Sequence, residues 1–315
     1  MAANAILIVA PSWNQEPWAA RIRAAEPGRT VFLWPDVPDR KAVAYAIAWW
    51  PPKGSLDNLP NLRAIFSMGA GVDNLFAHDL PDVPIARMVD PDLTARMTEW
   101  VTLQVLLHHR QLRAYDAQKA ERRWRELTQP AASEVRVGIM GMGVLGGDAA
   151  AVLARLGFQV SGWSKRASQV PGVQSFHGGG QLDAFLGRTD ILVSLLPLTP
   201  ETRGILAMPL FRRLAQDGAL GAPFLINAGR GGLQVEADIL AALDQGMLGG
   251  ASLDVFETEP LPDGSPLWWH PKVTITPHAA AWSSPAQLAP AIHRQILDLE
   301  AGKPLANPVD RAAQY

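Results

Sequence analysis

The stretch VRVGIMGMGVLG, Val135 to Gly146, decides the fold. Val135–Met140 reads as a buried strand, and it runs straight into glycines at 141, 143 and 146 followed by helix-compatible sequence to Leu156. Each glycine answers a physical need. Gly141 permits a tight turn, Gly143 lets backbone approach a bulky anion, and Gly146 lets the helix pack close to the strand. Amides at the start of that helix face the anion, and the helix dipole adds to the attraction. A glycine turn alone could be a mere structural bend. Here it lies between a strand and a helix, and a second strand, Gln159–Trp163, returns at the spacing of a dinucleotide-binding unit.

The end of that second strand selects the dinucleotide. An NAD-binding fold commonly places Asp or Glu there to accept hydrogen bonds from the ribose hydroxyls. This chain reads Gly162-Trp163-Ser164-Lys165-Arg166, with no carboxylate. A hydroxyl and two cations suit a ribose 2′-phosphate, so NADP(H) is the preferred cofactor and NAD(H) a possible one. The plainer reading of the three residues is a solvated basic turn.

Outward from this unit the alternation continues. Strands are expected at Ile191–Leu195, Phe224–Asn227, Gly250–Leu253 and Val273–Thr276, with helices at Leu182–Leu186, Pro209–Leu214 and Val235–Leu243 between them. Six strands with crossover helices match a doubly wound dinucleotide-binding domain. The first third alternates as well, with strands at Ile6–Ala10, Val31–Trp34, Tyr45–Trp50 and Ala64–Met68 and a helix at Trp18–Ala25. A long helix from about Thr94 to Trp124 joins the two series and ends in a charged arm, a dimer contact or a solvated hairpin. The tail from Pro285 to Leu299 is helical.

Composition narrows the function classes. With 315 residues, 48% apolar and 18% charged, the chain has ample material for two α/β lobes. Lys plus Arg is 28 against 30 Asp plus Glu, with no basic run, so a nucleic-acid partner is not expected. There is no cysteine, which removes disulfides, thiolate metal sites and cysteine nucleophiles and fits a reducing cytoplasm. No apolar run approaches the ~20 residues of a membrane span, and the first ten residues lack the pattern of a signal peptide. The adjacent His108 and His109 fall on different helix faces, a poor geometry for a metal, and none is expected.

Three polar segments follow buried strands: Asn227-Ala228-Gly229-Arg230-Gly231-Gly232, Asp254-Val255-Phe256-Glu257-Thr258-Glu259-Pro260 and Thr276-Pro277-His278. Ligands of open α/β sheets bind outside the carboxyl ends of strands, so the three can converge. A guanidinium holds a carboxylate or carbonyl oxygen, a histidine moves a proton, and a carboxylate orients the histidine. Reduction of a 2-oxo acid needs all three.

With these motifs in place the chain resembles, over essentially its full length, the D-isomer-specific 2-hydroxyacid dehydrogenase family. Within it, the chain is most similar to the NADPH-dependent glyoxylate/hydroxypyruvate reductases. Trp49-Trp50-Pro51-Pro52, Met68-Gly69-Ala70-Gly71-Val72-Asp73, Gly162-Trp163-Ser164, Ser265-Pro266-Leu267-Trp268 and the ending Val309-Asp310-Arg311-Ala312 carry that closer likeness. The resemblance implies two doubly wound parallel-sheet lobes. A Rossmann coenzyme domain, 99–282, is inserted into a discontinuous flavodoxin-like substrate domain, 1–98 and 283–315. It implies that Arg230 binds the substrate carboxylate and carbonyl, that His278 is the general acid, and that Glu259 pairs with it. Glu259 is preferred to Glu257 because a proline follows it, as in the family. Trp49 would line the substrate pocket, and the amides of Ala70 and Gly71 would hold the carboxylate. Gly141, Gly143, Val144, Leu145, Gly146, Ser164, Lys165, Arg166, Pro197 and Asp254 would contact the cofactor, Asp254 at its nicotinamide end. Trp282 would neighbour a hinge. A homodimer through the coenzyme domains is implied too. Two other readings remain: a dehydrogenase for a bulkier 2-hydroxy acid, and a non-catalytic NADP(H)-sensing regulatory dimer.

Overall fold

A computed structural model describes residues 3–314. In chain order its elements are β1 (Ala5–Val9), α1 (Glu16–Ala25), β2 (Val31–Leu33), β3 (Val43–Ala48), β4 (Ala64–Ser67), β5 (Ile85–Ala86), α2 (Pro91–His109) and α3 (Leu112–Ala120). Then follow β6 (Arg136–Met140), α4 (Val144–Arg155), β7 (Gln159–Ser164), β8 (Gln174–His177), α5 (Leu182–Leu186), β9 (Ile191–Ser194) and α6 (Met208–Phe211). The last are β10 (Phe224–Asn227), α7 (Glu236–Asp244), β11 (Gly250–Leu253), β12 (Val273–Ile275) and α8 (Pro285–Glu300).

The chain divides into two compact units. One comprises the chain up to Leu93 with everything from Trp282 onward, and the other is Thr94–Ala281. The first division falls inside α2, between Leu93 and Thr94. No helix among the described residues is long and apolar enough to cross a membrane.

The first unit holds a parallel sheet in the order β2-β1-β3-β4-β5. The order reverses between β1 and β3, the switch point of a flavodoxin-like sheet. Every residue of β1, β3 and β4 is buried, as continuous apolar runs in a two-faced parallel sheet should be. On one face α1 and α8 pack Trp18, Ile22, Leu288, Ile292 and Ile296 against Ile6, Ile8 and Ile47. Arg29, 5% exposed, ties the helices together. Its guanidinium makes paired bonds of 2.7 and 2.8 Å to Glu300, a 3.0 Å bond to Glu26 and a 2.9 Å bond to the Asn4 carbonyl.

The second unit holds seven parallel strands in the order β12-β11-β10-β9-β6-β7-β8, reversing between β6 and β9. This is one strand more than the sequence pattern predicts. The extra strand, β8, lies at the sheet edge with Gln174, Ser175 and His177 exposed, so no apolar run marks it. The long helix also differs. It breaks at Gln111, whose backbone is left-handed at φ +54°, and α3 stops at Ala120 rather than near Trp124. Gln111 Nε2 donates to the Thr128 carbonyl, the Leu127 amide donates to Tyr115 Oη, and the Arg125 amide donates to Gln118 Oε1. These bonds fold the following segment back along α3, a tertiary gain that overrides local helix propensity.

His108, on α2, sits against the same sheet. Its ring shares a 2.9 Å hydrogen bond with Ser252 on β11 and packs 4.6 Å from the Phe224 ring. Burial, with a smaller contribution from the Arg113 charge, pushes its pKa down to about 3. The unfolded chain therefore takes up this proton near pH 6.5, whereas the folded one does not until far lower. Stability is lost as pH falls through that window, at about 1.4 kcal/mol per pH unit. His108→Gln keeps a donor for Ser252 and removes the titration. Urea unfolding at pH 7 and pH 5 should show wild type losing about 2 kcal/mol more than the variant between the two conditions. Equal losses would place this histidine's proton elsewhere.

Candidate active site

The glycine turn sits at the reversal point of the seven-stranded sheet. Gly141 has φ +101°, and a Cβ there would lie 2.6 Å from the Leu195 carbonyl beyond β9. At Gly146 a Cβ would lie 1.9 Å from the Gly141 carbonyl, so only glycine lets α4 start this close to the strand end. Gly143 differs, because a Cβ there would meet nothing within 4 Å. It borders open space beside the amides of the first turn of α4, among them Val144 and Leu145. Those amides have no acceptor within the helix and suit a pyrophosphate. Gly141 donates its amide to the Trp163 carbonyl at 2.9 Å, which brings the end of β7 alongside the turn. There Ser164 Oγ donates to the Arg166 carbonyl at 2.6 Å, and Lys165 Nζ lies 3.2 Å from Glu201. Arg166 is exposed. Pro197 follows β9, its carbonyl bonded by Thr202 Oγ1 at 2.7 Å. These residues fit a dinucleotide with a 2′-phosphate.

Farther along the same carboxyl edge, the ends of β10, β11 and β12 bring three side chains together. His278 Nδ1 lies 2.7 Å from Glu259 Oε2. Partial burial pushes the Glu259 carboxyl up. The His278 bond, the Phe256 amide and the charges of His278 and Arg230 outweigh that and hold it below the usual carboxylate range. An ionised Glu259 can only accept, so Nδ1 carries the proton of the shared bond, and Nε2 takes no part in it. The carboxylate bonded to His278 is that of Glu259, not Glu257, whose amide donates to Glu236 Oε1.

The backbone around these residues is locked by polar groups, among them Gln234, which the sequence reading did not single out. Asn227 Nδ2 donates to the Arg230 carbonyl and to Gln234 Oε1, and Asn227 Oδ1 accepts the Gly229 amide. Gly231 has no room for a Cβ, which would lie 1.8 Å from the Phe256 carbonyl. Asp254, expected at the nicotinamide end of the cofactor, is 2% exposed, and its own unit takes up its carboxylate. It accepts Thr276 Oγ1 at 2.5 Å and the amides of Ala279 and Ala280 at 2.8 and 3.0 Å. Its carbonyl accepts the His278 amide at 2.7 Å. His278 is held at φ +52°, a left-handed conformation that a side-chain-bearing residue keeps only when its surroundings over-determine it. Asp254 is thus the anchor of the His278 turn. The sequence signal was available in a carboxylate and two amides, Asn227 and Gln234, beside buried strands.

In the first unit, Trp49 begins the turn after β3, at that sheet's own reversal point, and donates its amide to the Val9 carbonyl. Its indole stacks on Trp13 at 5.2 Å and covers Gly69, where a Cβ would lie 2.7 Å from the ring. Ser67 Oγ accepts the Gly69 amide and donates to the Gly71 carbonyl, bending the chain back on itself. Among the described residues neither the Ala70 nor the Gly71 amide finds an acceptor, and both residues are half-buried. Trp282 starts the returning segment and is exposed.

Comparison with known proteins agrees with this geometry. Residues 102–280 match the family model described as D-isomer specific 2-hydroxyacid dehydrogenase, NAD binding domain. The chain is 42% identical to glyoxylate/hydroxypyruvate reductase A of Serratia proteamaculans (strain 568), over 98% of this chain and 99% of that protein. It resembles the crystal structure of an NADPH-dependent glyoxylate/hydroxypyruvate reductase from Sinorhizobium meliloti in complex with NADP and sulfate. There the TM-score is 0.93 at 49% identity, over 99% of this chain and 100% of that one. A probable 2-hydroxyacid dehydrogenase from Rhizobium etli CFN 42, in complex with NADP, HEPES and L(+)-tartaric acid, matches with TM-score 0.93 at 46% identity over 99% of each chain. The glycine turn, the edge that joins Arg230, Glu259 and His278, and these full-length likenesses lead to one assignment: the chain belongs to the D-isomer-specific 2-hydroxyacid dehydrogenase family.

Proposed function

We propose that this protein reduces small 2-oxo acids, glyoxylate and hydroxypyruvate foremost, to the corresponding D-2-hydroxy acids with NADPH. The observation that carries the reading is the 2.7 Å His278–Glu259 bond under the influence of Arg230, on the sheet edge that also bears the glycine turn. The reductase names of full-length relatives, and the NADP in their structures, support the substrate class and the cofactor.

When bound, NADPH supplies the hydride that reaches C2 of the substrate. The chain's own residues do the rest. Arg230 grips the substrate carboxylate and carbonyl oxygen, and its charge draws electron density toward that oxygen as C2 is attacked. In the other unit, the family likeness gives Trp49 and the Ala70 and Gly71 amides a substrate-binding role. His278 Nε2 gives a proton to the C2 oxygen, completing the hydroxyl, and Glu259 holds the ring through Nδ1. Asp254 keeps the His278 turn in place.

Assays with glyoxylate, hydroxypyruvate and pyruvate against NADPH and NADH test this directly. Turnover of the first two with NADPH is expected to be fastest. Cofactor binding without turnover of any 2-oxo acid would return the protein to the sensor reading, and a preference for bulky acids to the other alternative. Replacing Lys165 and Arg166 together by Ala should weaken NADPH binding about 30-fold or more, since each charge-assisted contact to the phosphate is lost. NADH binding should stay within about threefold, because its ribose carries no phosphate.

The segment after α3 we assign to contact with a second copy of the chain. Trp124 is fully exposed there, and aromatic residues are enriched where surfaces associate. Sedimentation should give a dimer, and Trp124→Ala should shift it toward monomer. A cytoplasmic location goes with the cysteine-free sequence.

A further inference from the structure

The cation assigned to the 2′-phosphate already has an anionic partner. Lys165 Nζ contacts both carboxylate oxygens of Glu201, at 3.2 and 3.4 Å. Glu201 does not sit on a loose loop. It lies in the turn that follows β9 and Pro197. There Thr202 Oγ1 donates to the Pro197 carbonyl at 2.7 Å and accepts the Thr199 amide at 2.8 Å, while the Arg203 amide donates to the Thr199 carbonyl. The backbone that carries Glu201 is therefore fixed, and only its side chain can leave Lys165. The pair stays in water, with side-chain exposures of 77% and 71%, so it opens at little cost.

We propose that Glu201 is a resident competitor for the 2′-phosphate, a specificity-setting residue that lowers the margin by which NADPH is chosen over NADH. The proposal rests on the assignment of Lys165 to that phosphate. A dianion arriving at Lys165 must displace the carboxylate, and the displaced carboxylate, tethered to a rigid turn, remains a nearby like charge. A ribose bearing only hydroxyls meets neither penalty, and a carboxylate accepts hydrogen bonds from hydroxyls. Glu201 thus performs, from the β9 side, part of the work that a carboxylate at the end of β7 performs in NAD-binding folds. For two charges several ångströms apart in water, partly screened at physiological salt, the handicap on the phosphorylated cofactor is about threefold, rising toward tenfold at low salt.

Calorimetric titration with 2′,5′-ADP and with 5′-ADP reads this without turnover. Glu201→Gln should bind 2′,5′-ADP about three- to tenfold tighter than wild type at ~20 mM salt, with the gain shrinking to nothing near ~1 M. Binding of 5′-ADP should change less than about twofold, since no phosphate charge meets the site. A steric or folding effect of the substitution would not track salt in this way. Unchanged or weaker 2′,5′-ADP binding, or equal gains for both nucleotides, would overturn the competitor role. Lys165→Ala separates the two failures. If it weakens 2′,5′-ADP while Glu201→Gln gains nothing, only the competitor role falls. If Lys165→Ala has no effect, the assignment of Lys165 falls as well.

Discussion

Replacing His278 by Gln is expected to lower kcat for glyoxylate reduction by about a thousandfold, within the range of a lost general acid. NADPH affinity should stay within about twofold, because the glycine turn and the end of β7 lie on other segments of the unit. Glutamine can still donate to Glu259 Oε2, so the turn built on Asp254 should survive and the melting temperature should change little. What glutamine lacks is a transferable proton. Glu259→Gln tests the neighbour. It keeps an acceptor for His278 Nδ1 and removes the carboxylate charge beside the ring. Reduction by this variant should drop about tenfold. Turnover near wild type in His278→Gln would show that another group protonates the C2 oxygen.

Arg230→Ala should reduce kcat/KM for 2-oxo acids by about a thousandfold or more, equivalent to about 4 kcal/mol of transition-state stabilisation. The position is built for one side chain in one place. Asn227 Nδ2, which also bonds Gln234, donates to its carbonyl, Arg230 Nη1 donates to the Gly229 carbonyl at 2.9 Å, and Gly231 packs directly under Phe256. Arg230→Lys keeps the positive charge and loses the planar fork, so it should recover only part of the loss and leave kcat/KM about a hundredfold down. KM should rise and kcat fall together, since the guanidinium holds both the ground-state carboxylate and the developing alkoxide. Removing Arg230 also takes away one of the charges that keep Glu259 ionised, a second reason for the alanine variant to suffer more. If lysine matched arginine, a point charge would suffice and the fork geometry would be irrelevant.

The glycine turn was legible because its constraint is local. Three positions that exclude or dispense with a side chain leave a spacing that reads directly from the chain. Arg230, Glu259 and His278 were legible through family likeness joined to their place after buried strands, since nothing in their own spacing brings them within reach of one another. Asp254 was seen as a carboxylate at a strand end, but its work depends on amides and a hydroxyl from residues 22 to 26 positions away. Such a network exists only after the sheet has formed. The edge strand β8 escaped notice because an edge with exposed polar residues carries no burial pattern. The break at Gln111 did too, because a residue that propensity leaves in a helix is turned by a bond to Thr128, 17 positions on.

The first unit closes only when the end of the chain arrives. Its sheet is complete by Ala86, yet Ile6, Ile8 and Trp18 are covered by Leu288, Ile292 and Ile296, and Arg29 by Glu300. Thr94–Ala281, by contrast, is an uninterrupted stretch. During synthesis the usual order, amino-terminal domain first, is therefore inverted. Thr94–Ala281 can mature while the segment before it waits, with apolar surface bare, for α8 to leave the ribosome. In a cell, a nascent chain stalled shortly before Pro285 would be a target for chaperones through Ile6, Ile8 and Trp18 rather than through the residues just made.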